Sequence, residues 1–268
     1  MSVQSSQHGS SLAGCTVVIT RPAGTGSSLA RRIHTLGGTP LLLPGLSLHA
    51  VSDTDSARAQ WQQAQHDDLL IFTSPAAVRY ATALATLETQ AIVVATGQGT
   101  LRALRQHGVD VQVPTTRQDS EGVLALPALQ SLQGRRVALI TAPDGRGLLQ
   151  EQLVRRGATV REVHVYTRGA PRLNRRHIDA VMQLSSTACV LFSSAEAMRH
   201  LLTLLPVAAR DRLRSAVAVV SSDRIAELAR LDGFSRVEMA SSAHSEDLLA
   251  AACKICSRTP HEAGRGGC

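Results

Sequence analysis

The sequence repeats itself. Three stretches recur in the same order at an offset of about 120 residues, and self-similarity of that kind restricts the architectures open to a chain. Val17-Val18-Ile19-Thr20-Arg21-Pro22 is answered by Ala138-Leu139-Ile140-Thr141-Ala142-Pro143. Leu70-Ile71-Phe72-Thr73-Ser74-Pro75-Ala76-Ala77-Val78-Arg79 is answered, 120 residues on at every position, by Val190-Leu191-Phe192-Ser193-Ser194-Ala195-Glu196-Ala197-Met198-Arg199. Ala91–Gly108 is answered by Ala216–Gly233. In each case a short apolar run ends in a small polar turn and a helical pattern follows. Leu29, Ile33 and Leu36 share one helical face in the first copy, and Leu149 with Leu153 in the second; glycine stops, Gly37 and Gly157, close both helices. Continuous apolar strands alternating with helices build parallel sheets covered on both faces. The expected fold is therefore α/β, with two similar doubly wound parallel-sheet domains. On the repeat alone, the simplest division is two tandem halves meeting near residue 130.

The 268 residues are 44% hydrophobic, enough for two cores, but only 2% aromatic, so Leu, Val, Ile and Ala must fill them. No apolar run approaches the ~20 residues that span a bilayer. Leu12-Ala13-Gly14-Cys15 looks like a lipoprotein cleavage box, yet the residues before it are polar and carry no apolar stretch. Residues 1–12 and 257–268 read as disordered tails. The five cysteines stand at 15, 189, 253, 256 and 268. Cys15 and Cys189 fall in strand-like runs, where free cysteine acts as a small hydrophobe. Cys253-x-x-Cys256, with His261 nearby, has no second cysteine pair to complete a zinc site. A reducing, cytoplasmic setting is expected.

The net charge of +7 and a pI near 9.9 invite a nucleic-acid reading. The arginines are spread along the chain, however, and few aromatics are present to stack on bases. Lys254 is the only lysine. Arginine's planar fork suits carboxylates and phosphates, and the codon bias of a GC-rich genome yields the same composition; the two explanations stand side by side.

Ligands of open α/β sheets bind beyond the carboxyl ends of the strands. Those ends carry Thr20, Arg21, Thr73, Ser74, Thr96 and Thr100 in the first copy. They carry Ser193, Ser194, Ser221 and Ser222 in the second. Helix N-termini, whose free N–H groups favour anions, follow at once, and Arg146 and Arg224 lie close in sequence. Taken singly, each Ser or Thr is accounted for by helix capping; as a set they suit a polyanionic small molecule. Ala23-Gly24-Thr25-Gly26-Ser27-Ser28 lacks the lysine and spacing of a P-loop, Gly97-x-Gly99 lacks the third glycine of a dinucleotide fingerprint, and no Gly-x-Ser-x-Gly elbow occurs. The ten histidines show no paired metal spacing. Neither metal nor cofactor is expected. Tyr166, in His164-Val165-Tyr166-Thr167-Arg168, ends an apolar alternation before a polar linker. Its phenol can donate a proton, and packing is the competing role.

The order and spacing of these motifs resemble the uroporphyrinogen-III synthase family, in its proteobacterial branch. The resemblance runs from about Val17 to Ala252. It is carried by Ile19-Thr20-Arg21-Pro22, Phe72-Thr73-Ser74-Pro75, Gly97-x-x-Thr100, Asp119-Ser120-Glu121-Gly122, Val165-Tyr166 after Arg156-Gly157-Ala158, Phe192-Ser193-Ser194, Val220-Ser221-Ser222-Asp223-Arg224-Ile225-Ala226 and Gly233-Phe234. It implies a carbon–oxygen hydro-lyase of haem (tetrapyrrole) biosynthesis, free of cofactors. Hydroxymethylbilane, a linear tetrapyrrole with eight carboxylates, would lose the ring-A hydroxyl as water to give an azafulvene. Attack by ring D, a spiro intermediate and inversion of that ring would then close the macrocycle. Tyr166 falls at the family's tyrosine that helps the hydroxyl leave. Thr100 falls at a threonine of the family's cleft, and Ser74, Ser193 and Ser194 at hydroxyl residues near bound tetrapyrrole. Arg21, Thr73, Arg146 and Ser222 complete the expected substrate-binding set. Two turns depart from the family pattern: Ser221-Ser222-Asp223-Arg224 replaces a second Gly-x-x-Thr, and Ala142-Pro143-Asp144 replaces a glycine-richer turn.

The resemblance also turns the tandem division into an interleaved one. Residues 13–46 and 170–256 would form one domain and 47–169 the other, joined by two crossing segments, near Pro44–Val51 and Thr167–Leu173, around a cleft. A monomer is expected, with transient contact to hydroxymethylbilane synthase and no nucleic-acid or membrane partner. The main rival is a two-lobed small-molecule-binding sensor without chemistry. A nucleotide-sugar transferase would share the two-lobed shape, but no diphosphate-binding signature is present.

Overall fold

A computed structural model describes residues 11–115, 120–143 and 147–258. The strands are β1 (Thr16–Ile19), β2 (Thr39–Leu42), β3 (Ser47–Ala50), β4 (Leu69–Phe72), β5 (Ile92–Ala95) and β6 (Val111–Gln112) in the first half of the chain. The second half supplies β7 (Arg136–Thr141), β8 (Thr159–His164), β9 (Tyr166–Gly169), β10 (Cys189–Phe192), β11 (Val217–Val220) and β12 (Val237–Met239). The described residues fall into two compact units, one from 11–47 with 170–258 and one within Leu48–Gly169.

The first unit is built on a five-stranded sheet in the order β12-β11-β10-β1-β2, with every adjacent pair parallel. The second is built on β6-β5-β4-β7-β8, again parallel throughout. The repeat explains why the two orders superpose. It matches β1 to β7, β10 to β4 and β11 to β5, so both units place matching strands in matching positions. Each copy of the repeat divides its strands between the units. The first copy gives β1 and β2 to one sheet and β4 to β6 to the other; the second copy gives β7 and β8, then β10 to β12.

Alternation along each strand sorts side chains onto two faces. In the first unit Val18, Val190, Phe192, Ala218 and Val220 enter one core layer, while Val17, Ile19, Cys189, Leu191, Val217 and Val219 enter the opposite one. In the second unit Leu70, Phe72, Val93, Ala95, Ala138 and Ile140 face one way, and Leu69, Ile71, Val94, Val137 and Leu139 the other. Helices cover both faces, as the doubly wound expectation requires. On the helix after β1, Leu29 and Ile33 are buried; on the helix after β7, Leu149 and Leu153 are. Gly37 and Gly157, which follow these helices, have φ of 81° and 89°, a conformation that costs a residue with a Cβ far more than glycine.

The chain passes between the units twice, and the strands at those passages, β3 and β9, pair in a two-stranded sheet. Just before the first passage, a Cβ on Gly45 would stand 2.5 Å from that of Ala197. Only a bare backbone can lie that close to the helix Ala195–Leu204.

Three expectations are corrected. Leu12, placed in the N-terminal tail, is fully buried in the core layer with Leu29 and Ile33, and its N–H donates to Leu36 O at 2.8 Å. It caps that layer as an apolar plug. At the other end, the terminal helix runs on to Arg258. Cys15 is not a free cysteine: it forms a disulfide with Cys256, 241 residues away, because the terminal helix packs on the same face of the sheet as β1. Cys189 and Cys253 are free and buried, and burial pushes the Cys189 thiol up to about 12. Among the described residues, no helix is long and apolar enough to cross a membrane.

Trp61 is the only tryptophan. It is fully buried in the second unit, meets Phe72 edge to face at 5.8 Å and donates through Nε1 to Ala85 O at 3.0 Å. Its fluorescence therefore reports on this unit. Phe72→Ala is expected to cost about 3–5 kcal/mol, seen as an early Trp61 transition in a denaturant titration.

Candidate active site

In the second unit the site begins with a cap. Ser74, extended at φ −164° and ψ 161°, precedes the helix Pro75–Leu84, and its Oγ accepts from Ala77 N–H at 3.0 Å. Pro75 follows at the first helical position, where its missing N–H costs nothing. Ser194 repeats the cap in the first unit, accepting from Ala197 N–H at 3.3 Å. A capping hydroxyl sits at the positive end of the helix dipole and is polarised by it.

Tyr166 opens β9 and is 7% exposed. Its hydroxyl lies 3.1 Å from Ser74 Oγ. Because Ser74 already accepts from Ala77, its own O–H can point at the phenol oxygen. A proton leaving Tyr166 would then leave negative charge facing a hydroxyl donor at a helix N-terminus, an arrangement that stabilises such charge without reorganisation. One ring face is packed against Tyr80, at 5.4 Å between centroids and 15° between planes.

Around this pair, hydroxyl residues line the carboxyl ends of β4, β5 and β7. Thr73 Oγ1 is 3.2 Å from Ile140 O and 3.0 Å from Thr141 Oγ1. Thr96 Oγ1 donates to Thr73 O at 3.0 Å. Thr100, in the first turn of the helix Gln98–Arg105, is 2% exposed, so its side chain faces the interior more than solvent. The structure thus brings together Tyr166, Ser74 and Thr73.

The remaining expected residues belong to the first unit or lie outside the described residues. Arg21 follows β1; its Nη2 donates to Ser245 Oγ at 3.0 Å and to Ala243 O at 3.4 Å. Its Nε is buried without a hydrogen-bond partner among the described residues, and burial lowers the guanidinium pKa from its ordinary value. Ser193 is half-buried beside the capping Ser194. Ser222 is exposed at the start of the helix Asp223–Leu231 and makes no side-chain capping bond there. Arg146, Asp144 and Asp119 lie outside the described residues. Among the described residues no cluster of three His, Cys, Asp or Glu side chains converges as a metal site would.

Tyr80 is the residue that sequence reasoning missed. One signal for it exists: it is the only other tyrosine, six positions after the capping serine, and the repeat aligns it with His200. Both rings bond the first crossing segment. Tyr80 Oη donates to Leu48 O at 2.9 Å, and His200 Nδ1 lies 3.0 Å from Gly45 O.

Residues 27–250 match the family described as "Uroporphyrinogen-III synthase HemD". The chain belongs to the uroporphyrinogen-III synthase family. It is 31% identical over 250 residues to the uroporphyrinogen-III synthase of Salmonella typhimurium, covering 88% of this chain and 99% of that protein. It is 29% identical over 249 residues to that of Escherichia coli, with the same coverage. Two solved structures share the fold: the Helicobacter pylori uroporphyrinogen-III synthetase, with a TM-score of 0.58 at 15% identity over 90% of this chain and 99% of that one, and a mutant of the Thermus thermophilus synthase, with a TM-score of 0.56 at 20% identity over 91% and 100%.

Replacing Ser74 removes its capping bond to Ala77 and its bond to Tyr166. Ser74→Ala is expected to lower stability by about 1 kcal/mol, measured by denaturant titration, with Ser74→Thr closer to the parent because it retains a capping oxygen.

Proposed function

We propose that this chain is a uroporphyrinogen-III synthase that takes hydroxymethylbilane, removes the ring-A hydroxyl as water, and closes the macrocycle with ring D inverted. The observation that carries the proposal is Tyr166, a buried phenol held against a helix-capping serine at the carboxyl end of a parallel sheet. Departure of hydroxide is made easier by a proton, and Tyr166 is the group assigned to supply it. The charge left behind is met by Ser74 O–H. After the azafulvene forms, cyclisation to the uninverted isomer needs no enzyme, so the remaining task of the protein is geometric: to hold a flexible octacarboxylate so that the substituted carbon of ring D is attacked. Hydroxyls and helix N-termini suit that task, with Arg21, Thr73, Thr100, Arg146, Ser193, Ser194 and Ser222 as the proposed substrate-binding residues. The sensor alternative draws no support from the family match.

The proposed reaction class is a cofactor-independent carbon–oxygen hydro-lyase. A monomer working in the cytoplasm, receiving its unstable substrate by transient contact with hydroxymethylbilane synthase, fits this chemistry.

The decisive assay couples the purified protein to a hydroxymethylbilane-generating deaminase and separates the isomers. The type III isomer is expected; only type I product, as forms without enzyme, would sink the proposal. Tyr166→Phe is expected to lower kcat by about 10² with the fold retained, and an undiminished kcat would remove Tyr166 from the proton step.

A further inference from the structure

The Tyr166 ring is gripped from two sides, and only one of them is the serine. Tyr80 stacks on its face, projects from the helix that Ser74 caps, and donates its own hydroxyl to Leu48 O on β3. Strand β3 is the partner of β9, which Tyr166 opens. These contacts close a ring: β9 carries Tyr166, Tyr166 stacks on Tyr80, Tyr80 bonds β3, and β3 pairs with β9. The Arg79 guanidinium lies 4.8 Å from the Tyr80 ring centroid, which adds a cation to the aromatic stack.

We infer that Tyr80 is a positioning residue for the dehydration step, acting through Tyr166: it fixes the plane of the phenol so that its hydroxyl stays on Ser74 and faces the departing oxygen. This rests on the proton-donating role given to Tyr166 above. A phenol has two side-chain rotations. The bond to Ser74 fixes the position of the oxygen but leaves the ring plane free to swing about it. A parallel stack removes that freedom, because offset stacking favours one plane and leaves little room for others. The first unit shows what is particular to the second. That unit keeps the capping serine (Ser194), the arginine (Arg199) and a polar ring bonded to the crossing segment (His200), but the residue that opens β3, as Tyr166 opens β9, is Ser47. The frame is repeated; the stacked pair of phenols is not.

The test is a double-mutant cycle on steady-state rates. Tyr80→Leu keeps an apolar side chain of the helix and removes the stack. It is expected to lower kcat about tenfold with KM within about twofold, since a misplaced catalytic group costs rate rather than binding. Tyr80→Phe keeps the stack and loses only the bond to Leu48 O, and is expected to recover most of the rate. In the Tyr166→Phe background, Tyr80→Leu should cause little further loss, because the group it positions is gone. Thermal melts of all four proteins establish that they are folded at the assay temperature. Full rate in Tyr166→Phe alone overturns the reading on which the inference rests. A slow Tyr166→Phe combined with no loss in Tyr80→Leu, or with a loss that persists undiminished in the Tyr166→Phe background, overturns the positioning role and leaves that of Tyr166 standing.

Discussion

Two parallel ladders hold the molecule's plan together: β1 on β10, where Val17, Val18 and Ile19 meet Cys189, Val190 and Leu191, and β4 on β7, where Leu69 to Phe72 meet Val137 to Ile140. Each joins a strand from one copy of the repeat to a strand from the other. Without them neither sheet would have its middle, since β1 and β10 are central in one and β4 and β7 in the other. The apolar character of these four strands follows directly. They are covered on both faces, so alternation cannot appear as polar and apolar residues and instead divides one apolar run between two cores. The same pairing puts the ends of β4 and β7 side by side, and it is there that Thr73 meets Thr141.

A repeated frame supplies two similar sets of strand ends, and chemistry requires that they differ. The difference is concentrated in aromatic residues. Both units cap a helix with serine after the equivalent strand, and both tie the helix that follows to a crossing segment. Only the second adds a phenol to the cap and another phenol to hold it. The chain has two tyrosines in all, and both stand in one stack in this unit.

How much of this could be read beforehand depended on the range of the interaction. The strands, the helix stops at Gly37 and Gly157 and the caps at Ser74 and Ser194 are local, and each has a residue type that physics demands at that position. The common strand order followed from the repeat once β1 was matched to β7 and β4 to β10. The missed features are long-range or lack a local signature. Cys15 and Cys256 are joined by the packing of the terminal helix, and no spacing in sequence announces a pair 241 residues apart. Leu12 follows a polar segment, and the apolar layer that buries it draws on residues from both ends of the chain. Tyr80 looks like one more helical residue until the strand carrying Tyr166 is laid beside it. Arg21 was legible as a cation after a strand, but its bonds to Ala243 and Ser245 come from the far end of the chain.

The division of each repeat between the two units also sets an order in time. During synthesis the second unit emerges as one unbroken segment, Leu48–Gly169, and all five of its strands are available before β10 has been made. The pair β1 and β2 emerges first yet has no neighbour for its inner edge until Cys189–Phe192 leaves the ribosome. Closing that distance costs little more entropy than closing a shorter loop, because the cost grows only with the logarithm of length. The wait is what matters: an apolar strand edge stays open throughout, and domains that fold as the chain lengthens are exposed to mispairing at such edges. In this chain the segment bearing Tyr166, Ser74 and Tyr80 is the one that can fold first, and the residues that complete the other unit, from Ala170 on, leave the ribosome after it.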